Sequence, residues 1–388
     1  MARLGDYIEQ IRGVSYKPED ICSSTDNGAV AILRANNIQD DGLKFDDLVY
    51  IKESKISDKQ YIQKGDIVVC ASSGSKNLVG KAAIASENFP VAFGAFCKVV
   101  RPKKLIPSYI GYFFQSPKYR STISELSGGA NINNIRNEHI DELDIVIVSE
   151  EEQESIVNQL DDLSNLISLR KQQLSKFDEL VKSRFVELFG DPISNPMGWT
   201  TGDMKDICIK ITDGEHGSVA RVDSGNVFLN AKHIKKDGTI DWDTVTYTSD
   251  EVHNKIYSRC NPEPGDILLT TTGTIGNVAI VPNISPFSMD RGITLLKINR
   301  SKVSNVFVAV LLRFDCIQKV MNANVHASAI GHLFLNKVMR IPVIVPPIEL
   351  QNQFAAFVEQ TDKSKLAIQQ SLEKLETLKK ALMQKYFG

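Results

Sequence analysis

Two short stretches carry residue types that could do chemistry. The first, SSGSKNLVGKAAI at 72–84, is a glycine-rich loop ending on Gly-Lys, the pairing that cradles nucleotide phosphates. A P-loop needs G-x-x-x-x-G-K-[ST], with the last hydroxyl on the metal. Here Gly74 lies one residue too far from Gly80, and Ala82 replaces the hydroxyl residue. The loop also recurs without its lysine. KGDIVVCASSG (64–74) is echoed by PGDILLTTTG (264–273), and Asn277 stands where the first copy has Lys81. A form that repeats while its phosphate ligand does not is a structural device. The second stretch is ITDGEHGS at 211–218. His216 could move a proton, but catalysis requires a positioned partner and none is indicated nearby. It is expected as a turn residue or a binding contact, with Gly214 and Gly217 setting the turn. DPIS at 191–194 is the nearest approach to an Asp/Asn-Pro-Pro-aromatic methylation motif, and it fails. There is no glycine-rich cofactor strand, no cluster of metal-binding carboxylates and no C-x-x-C. A non-catalytic chain with no cofactor and no metal is expected.

The bulk numbers set bounds. The 388 residues suffice for two or three domains with their own cores, and 42% hydrophobic content is that of a globular chain. MARLGDYIEQIRG opens without an apolar signal core and no run reaches membrane-spanning length, so the expected setting is cytoplasmic, without membrane contact. The six scattered cysteines (Cys22, Cys70, Cys97, Cys208, Cys260, Cys316) are expected as reduced thiols. A formal net charge of −2 is no nucleic-acid signature, although totals hide distribution. Residues 1–148 hold 18 basic and 18 acidic side chains, 149–191 hold 5 and 10, 192–346 hold 16 and 14, and 347–388 hold 6 and 5. The acid excess at 149–191 suits a spacer or docking element. Anion affinity in the near-neutral segments must come from local patches.

The elements that position these residues are themselves repeated. LDIVIVSEEEQESIV… (143–190) aligns with IPVIVPPIELQNQFA… (341–388) at a constant offset of 198 without a gap. Glu151, Gln153, Gln172, Leu174, Lys176, Leu180, Lys182, Phe189 and Gly190 are identical to their partners. Upstream, ILRANNIQDDG (32–42) parallels FLNAKHIKKDG (228–238): an apolar strand, a short polar stretch, then Asp-Gly for a hairpin turn. GGANINNIRNEHIDELDIVIV and HASAIGHLFLNKVMRIPVIV complete the series. The plan is α+β: a strand-rich mixed domain (1–148), a long helix (149–191), a second such domain (192–346) and a second helix (347–388).

Apolar residues step by threes and fours through both helical segments. Ile156, Leu160, Leu163, Ile167, Leu174, Phe177, Val181 and Leu188 line the first; Phe354, Val358, Ile368, Leu372, Leu375 and Leu382 line the second. Arg170 and Arg184 interrupt the first stripe where Ile368 and Leu382 stand in the second. Thr361, Lys365 and Lys379 interrupt the second where the first is apolar. Complementary gaps favour the two helices packing on each other as a coiled coil, with each helix packing on its own domain as the alternative. Gly190, Pro192 and Pro196 end the first helix.

With these features the chain resembles a type I restriction-modification specificity subunit over essentially its whole length. The carriers are the domain–helix–domain–helix order, the junctions IVIVSEEEQESI and VIVPPIELQNQF, the loops SSGSKNLVG and TTGTIGN, RGVSYKPEDI (12–21) with ILRANNI, and ITDGEHGS. The first junction departs from the pattern, with Ser149 and Glu150 where the second has Pro347 and Ile348. The resemblance implies two target-recognition domains on an antiparallel helical pair, each reading one half of a split double-stranded DNA target. It also implies two methyltransferase subunits and restriction-translocase subunits as partners, in DNA methylation and host defence. The implied target is asymmetric, its half-sites about 34–36 Å apart on one DNA face.

Within this frame the residue types that read bases stand at matching places in both copies. Candidate DNA contacts are Arg34, Asn36, Asn37, Ser73, Ser75, Lys76, Asn77 and Lys81 in the first domain. In the second they are His216, Asn230, Lys232, His233, Thr272, Thr274 and Asn277. Asn131, Asn133 and Asn134 are open between backbone binding and helix capping. The competing readings are a stand-alone methyltransferase or nuclease, and a protein-binding scaffold. The first lacks its motifs, and the second gives no reason for two diverged loop sets.

Overall fold

In the computed structural model, which describes residues 2–75, 77–126, 133–284, 286–326 and 331–388, the two Gly-Asp-Ile segments become strands Ile67–Cys70 and Ile267–Thr270. Both are buried throughout, apolar except for Thr270, because both faces are covered. Ile67 and Val69 pack with Tyr109, Ile110 and Phe113 of a helix, while Val68 and Cys70 turn to the opposite cluster around Leu33 and Phe93. Ile267 and Leu269 against Leu268 repeat that division. The preceding Gly65 and Gly265 sit at φ +85° and +87°, in the left-handed region that glycine tolerates. The aspartates are internal clamps. Asp66 is 1% exposed and takes both Arg101 Nε (2.7 Å) and Nη2 (2.8 Å) from the neighbouring strand. Asp266 is paired with Lys297 Nζ at 2.8 Å. A buried carboxylate persists when it is paired in this way.

The chain divides into two compact units, Met1–Lys171 with Gln370–Gly388, and Gln172–Gln369. Each takes one strand-rich domain and part of both long helices, so the helices sequence reading set apart as separate segments contribute to both cores. In the first unit an antiparallel sheet runs in the order Ala82–Ile84, Ile67–Cys70, Cys97–Pro102, Ile8–Arg12. A second sheet runs Val91–Phe93, Ala29–Leu33, Val49–Lys52, Ile21–Cys22, with its first two strands parallel. The second unit repeats the first sheet as Val278–Ile280, Ile267–Thr270, Ile293–Ile298, Cys208–Asp213. Its second sheet is Ser288–Met289, Asn226–Leu229, Thr246–Thr248, with the same parallel pair. The units differ beside that sheet: helix Asp250–Arg259 occupies a stretch where the first has short 3-10 turns.

The long helices span Glu150–Phe189 and Ile348–Phe387, 40 residues each. Gly190 ends the first at φ +75°, as expected, and the Trp199 indole N–H donates to the Phe189 carbonyl. In the first unit Tyr386 donates to Gln159 (3.0 Å) and Lys171 meets Glu376 (3.0 Å); in the second, Lys365 meets Asp178 (2.7 Å). Both pairings are antiparallel. Ile156, Leu160, Leu163, Phe354, Val358 and Leu372 are buried; Ile167, Leu174, Phe177, Val181, Leu188, Ile368, Leu375 and Leu382 are half-buried, since two helices alone cover only one face of each other. Sequence periodicity missed the deepest contacts. Phe185 and Phe189 stack among Phe307 and Phe354 in the second core, and Met383 and Phe387 enter the first. Among the described residues no helix is long and apolar enough to cross a membrane.

Candidate nucleic-acid interface

Four segments converge at one edge of each domain, and their backbone connections are the same in both. In the second domain, strand Cys208–Asp213 runs into the DGEHG turn. Glu215 N–H donates to Met289 O (2.9 Å), and Arg291 N–H to Glu215 O (3.0 Å). A Cβ at Gly214 would overlap the carbonyl oxygens of Met289 and Asp290, so the turn lies flat on the next loop only as glycine. In the first domain Val14 N–H donates to Phe93 O (2.7 Å), and a Cβ at Gly13 would overlap the Gly94 carbonyl. The glycine-rich loops attach likewise. Thr271 N–H donates to Gly292 O, and Leu333 N–H to Thr271 O, both at 2.8 Å. Ala71 N–H donates to Phe96 O (2.9 Å), and Ile135 N–H to Ala71 O (2.8 Å).

On this common frame the side chains differ. Arg12 of the first domain stands where the second has Asp213, Phe96 where it has Gly292, Asn134 where it has His332, and Arg136 where it has Phe334. In the second domain Asp213, 8% exposed, accepts from His216 Nε2 (2.8 Å) and lies 3.6 Å from Arg259 Nη1. Thr272 Oγ1 and His332 Nδ1 share a 2.6 Å hydrogen bond, and the His332 ring meets Phe334 edge-on at 4.6 Å. Burial, then the Arg291 charge, holds the His332 imidazole below the ordinary histidine range, so it is neutral near pH 7. Phe96 and Phe334 are 68% and 48% exposed, large apolar faces on otherwise polar edges.

The residues singled out from sequence fall into three groups. Ser75, Asn77, Thr274 and Lys232 are exposed, and Ser73 and Thr272 are half-exposed in the glycine loops. His216 is exposed and hydrogen-bonded to Asp213, which corrects the expectation that no partner stands beside it. Asn36 is exposed but leans on Asp47 (3.3 Å), and Arg34 is tied to the same carboxylate at 2.8 Å. Lys81 is paired with Asp40 at 3.4 Å. Four residues do internal work instead. Asn37, 1% exposed, accepts from Arg34 N–H (2.8 Å) and donates to Asp46 O. His233, fully buried, accepts from Asn230 N–H at Nδ1 (2.9 Å), and its Nε2 faces Thr244 O (3.1 Å). Asn230 donates to Asp290 (2.7 Å), and Asn277 to Ile234 O (2.8 Å). These side chains cap the short turn after the apolar strand or brace the loops against it, an internal role that sequence reading did not assign them. Polarity in a loop marked all four in sequence; Asn37 and His233 are buried, while Asn230 and Asn277 are half-exposed. Lys76 and Asn131 lie outside the described residues, and of Asn133 the backbone pairs with Ser73. Phe96, Arg259, Arg291, His332 and Phe334 were missed, because ladders between distant segments bring them to the edge. The 198-residue offset, carried upstream into 133–136, pairs Asn134 with His332 and Arg136 with Phe334 and could have found those two.

The family model described as the type I restriction modification DNA specificity domain matches residues 1–177 and 210–379. The type I restriction enzyme StySPI specificity subunit of Salmonella potsdam is 42% identical over 173 residues, which cover 44% of this chain and 37% of that protein. The chain thus aligns with well under half the length of that relative. The type I restriction enzyme MjaVIII specificity subunit of Methanocaldococcus jannaschii is 22% identical, over 99% of this chain and 90% of that one. The fold is similar to the crystal structure of the type I restriction-modification S subunit from M. genitalium, with a TM-score of 0.57 at 17% identity, covering 100% of this chain and 95% of that one.

Proposed function

The chain belongs to the family of type I restriction modification DNA specificity domains, and from that premise we propose that it is the non-catalytic subunit that reads DNA sequence for a type I restriction-modification complex. Each strand-rich domain (1–148 and 192–346) reads one half of a split, asymmetric target. The helical segments (149–191 and 347–388) space the halves and dock two methyltransferase subunits, to which restriction-translocase subunits add. The observation that carries the reading is the common frame. One backbone scaffold, clamped by the same glycine approach and the same ladder bonds, presents different polar and aromatic side chains in each copy. A scaffold for protein binding alone has no use for that divergence. A near-neutral domain needs help with phosphates, so the methyltransferases supply much of the backbone clamp.

The test is DNA binding by the complex of this chain with its methyltransferase partner, titrated with salt. Binding should be sequence-specific. Lys232→Ala, at an exposed position, should weaken it on all sequences and lower the salt slope by roughly one. Sequence-independent binding by the wild-type complex, or methyl transfer from S-adenosylmethionine by the isolated chain, would contradict the proposal.

A further inference from the structure

The ribbon that clips onto each glycine loop has geometry suited to reading bases. In the second domain residue 332 is held from both sides: Leu333 N–H donates to Thr271 O (2.8 Å), and His326 N–H to His332 O (2.9 Å). The imidazole is then oriented by Thr272 at Nδ1 (2.6 Å) and by the edge of Phe334 (4.6 Å, 78°). A neutral imidazole with Nδ1 engaged has a single remaining polar atom, Nε2, whose donor or acceptor character is set by the hydroxyl. Phe334 is a half-exposed plate that also meets His326 at 5.8 Å, so two imidazoles flank its ring. An apolar ring of this kind suits a thymine methyl or the face of an unstacked base.

The first domain has the same ribbon with other chemistry. Asn134 pairs with Ser72 as His332 does with Thr272, and Ile135 N–H donates to Ala71 O as Leu333 N–H does to Thr271 O. Asn134 and Arg136 are both exposed. Asn matches adenine bidentately and Arg matches guanine. Residues framing a structural ribbon would be expected to stay alike between copies. Here the inward residues do stay apolar (Ile135 at 3% exposed, Leu333 at 1%) while the flanking positions change type completely.

We propose that this ribbon is the specificity element of each domain, with Asn134 and Arg136 contacting bases of one half-site and His332 and Phe334 contacting bases of the other. The inference rests on the reading that each domain serves one half of a split target. The experiment is methylome sequencing of cells carrying the chain with its methyltransferase, comparing wild type with Arg136→Gln, Asn134→Asp, His332→Ala and Phe334→Leu. Arg136→Gln and Asn134→Asp should relax the base preference in one half on the order of 10- to 100-fold and leave the other half unchanged. His332→Ala and Phe334→Leu should do the reverse. Arg136, Asn134 and Phe334 are exposed, so those variants test the proposal even where His332→Ala destabilises its loop. Unchanged preferences in all four, or a loss spread evenly over both halves, would overturn the assignment while leaving the split-target reading intact. A wild-type methylome with no split target would overturn both.

Discussion

At the residue scale, glycines and glutamines with the same type in both copies have distinct physical reasons. Gly13 and Gly214 have a backbone carbonyl where a Cβ would stand, whereas Gly74, in the loop that looks most like a phosphate cradle, has open space and no left-handed φ. Gly13→Ala and Gly214→Ala are therefore expected to destabilise by about 1–3 kcal/mol, the cost of overpacking, and Gly74→Ala to stay within about 0.5 kcal/mol of wild type by denaturant melts. The glutamine repeated across the helix junctions is likewise structural. Gln153 accepts from Ile106 N–H (3.1 Å) and donates to Val148 O (3.0 Å); Gln351 accepts from Ser304 N–H (2.9 Å) and donates to Pro346 O (2.8 Å). Each ties a helix start to the turn before the domain's own helix. Gln153→Ala or Gln351→Ala leaves buried backbone groups unpaired and should cost roughly 1–3 kcal/mol. The first junction has Val148 and Ser149 where the second has Pro346 and Pro347, and it keeps this tie, with Ser149 Oγ accepting from Glu152 N–H (3.2 Å).

At the element scale the long helices were legible from the 3.5-residue spacing, and their end was legible from Gly190. Their aromatic anchors were not, because Phe189 and Phe387 are buried by strands and helices far away in the chain, and no periodicity encodes those. The strands were legible because both faces of Ile67–Cys70 and Ile267–Thr270 are covered and read as apolar runs. Lys379, expected as a gap in the stripe, lies over the Tyr112 ring, 5.6 Å from its centroid, and burial holds its ammonium below the ordinary lysine range. Between that depressed value and 10.5 the unfolded chain binds more protons than the folded one, so this residue makes stability rise with pH there. Lys379→Met should stabilise at neutral pH by about 0.5–2 kcal/mol, with the advantage shrinking as pH climbs through that window. Melting curves of both proteins across alkaline pH check it. Leu174→Pro, inside the first helix, should cost about 3 kcal/mol or more and abolish co-purification with the methyltransferase.

At the scale of the whole molecule, the repeat gives the proposed reading of two half-sites a single scaffold. Backbone ladders, buried Asp–Arg and Asp–Lys clamps and glycine approaches are held in common, and the side chains at the loop edge vary. The sequence made the repeat visible, but polarity alone could not divide capping residues such as Asn37 and His233 from exposed ones such as Asn134 and Arg136. That division depends on burial, which only the fold determines. The central claim is that the two domains read separate halves. It is met most directly by methylome sequencing of cells carrying the chain with its methyltransferase, before and after residues 192–346 are exchanged for the second domain of another family member. A split, asymmetric methylated sequence is expected, in which the exchange rewrites one half and leaves the other and its spacing intact; a single continuous palindrome, or an exchange that alters both halves, would rule out separate reading by the two domains.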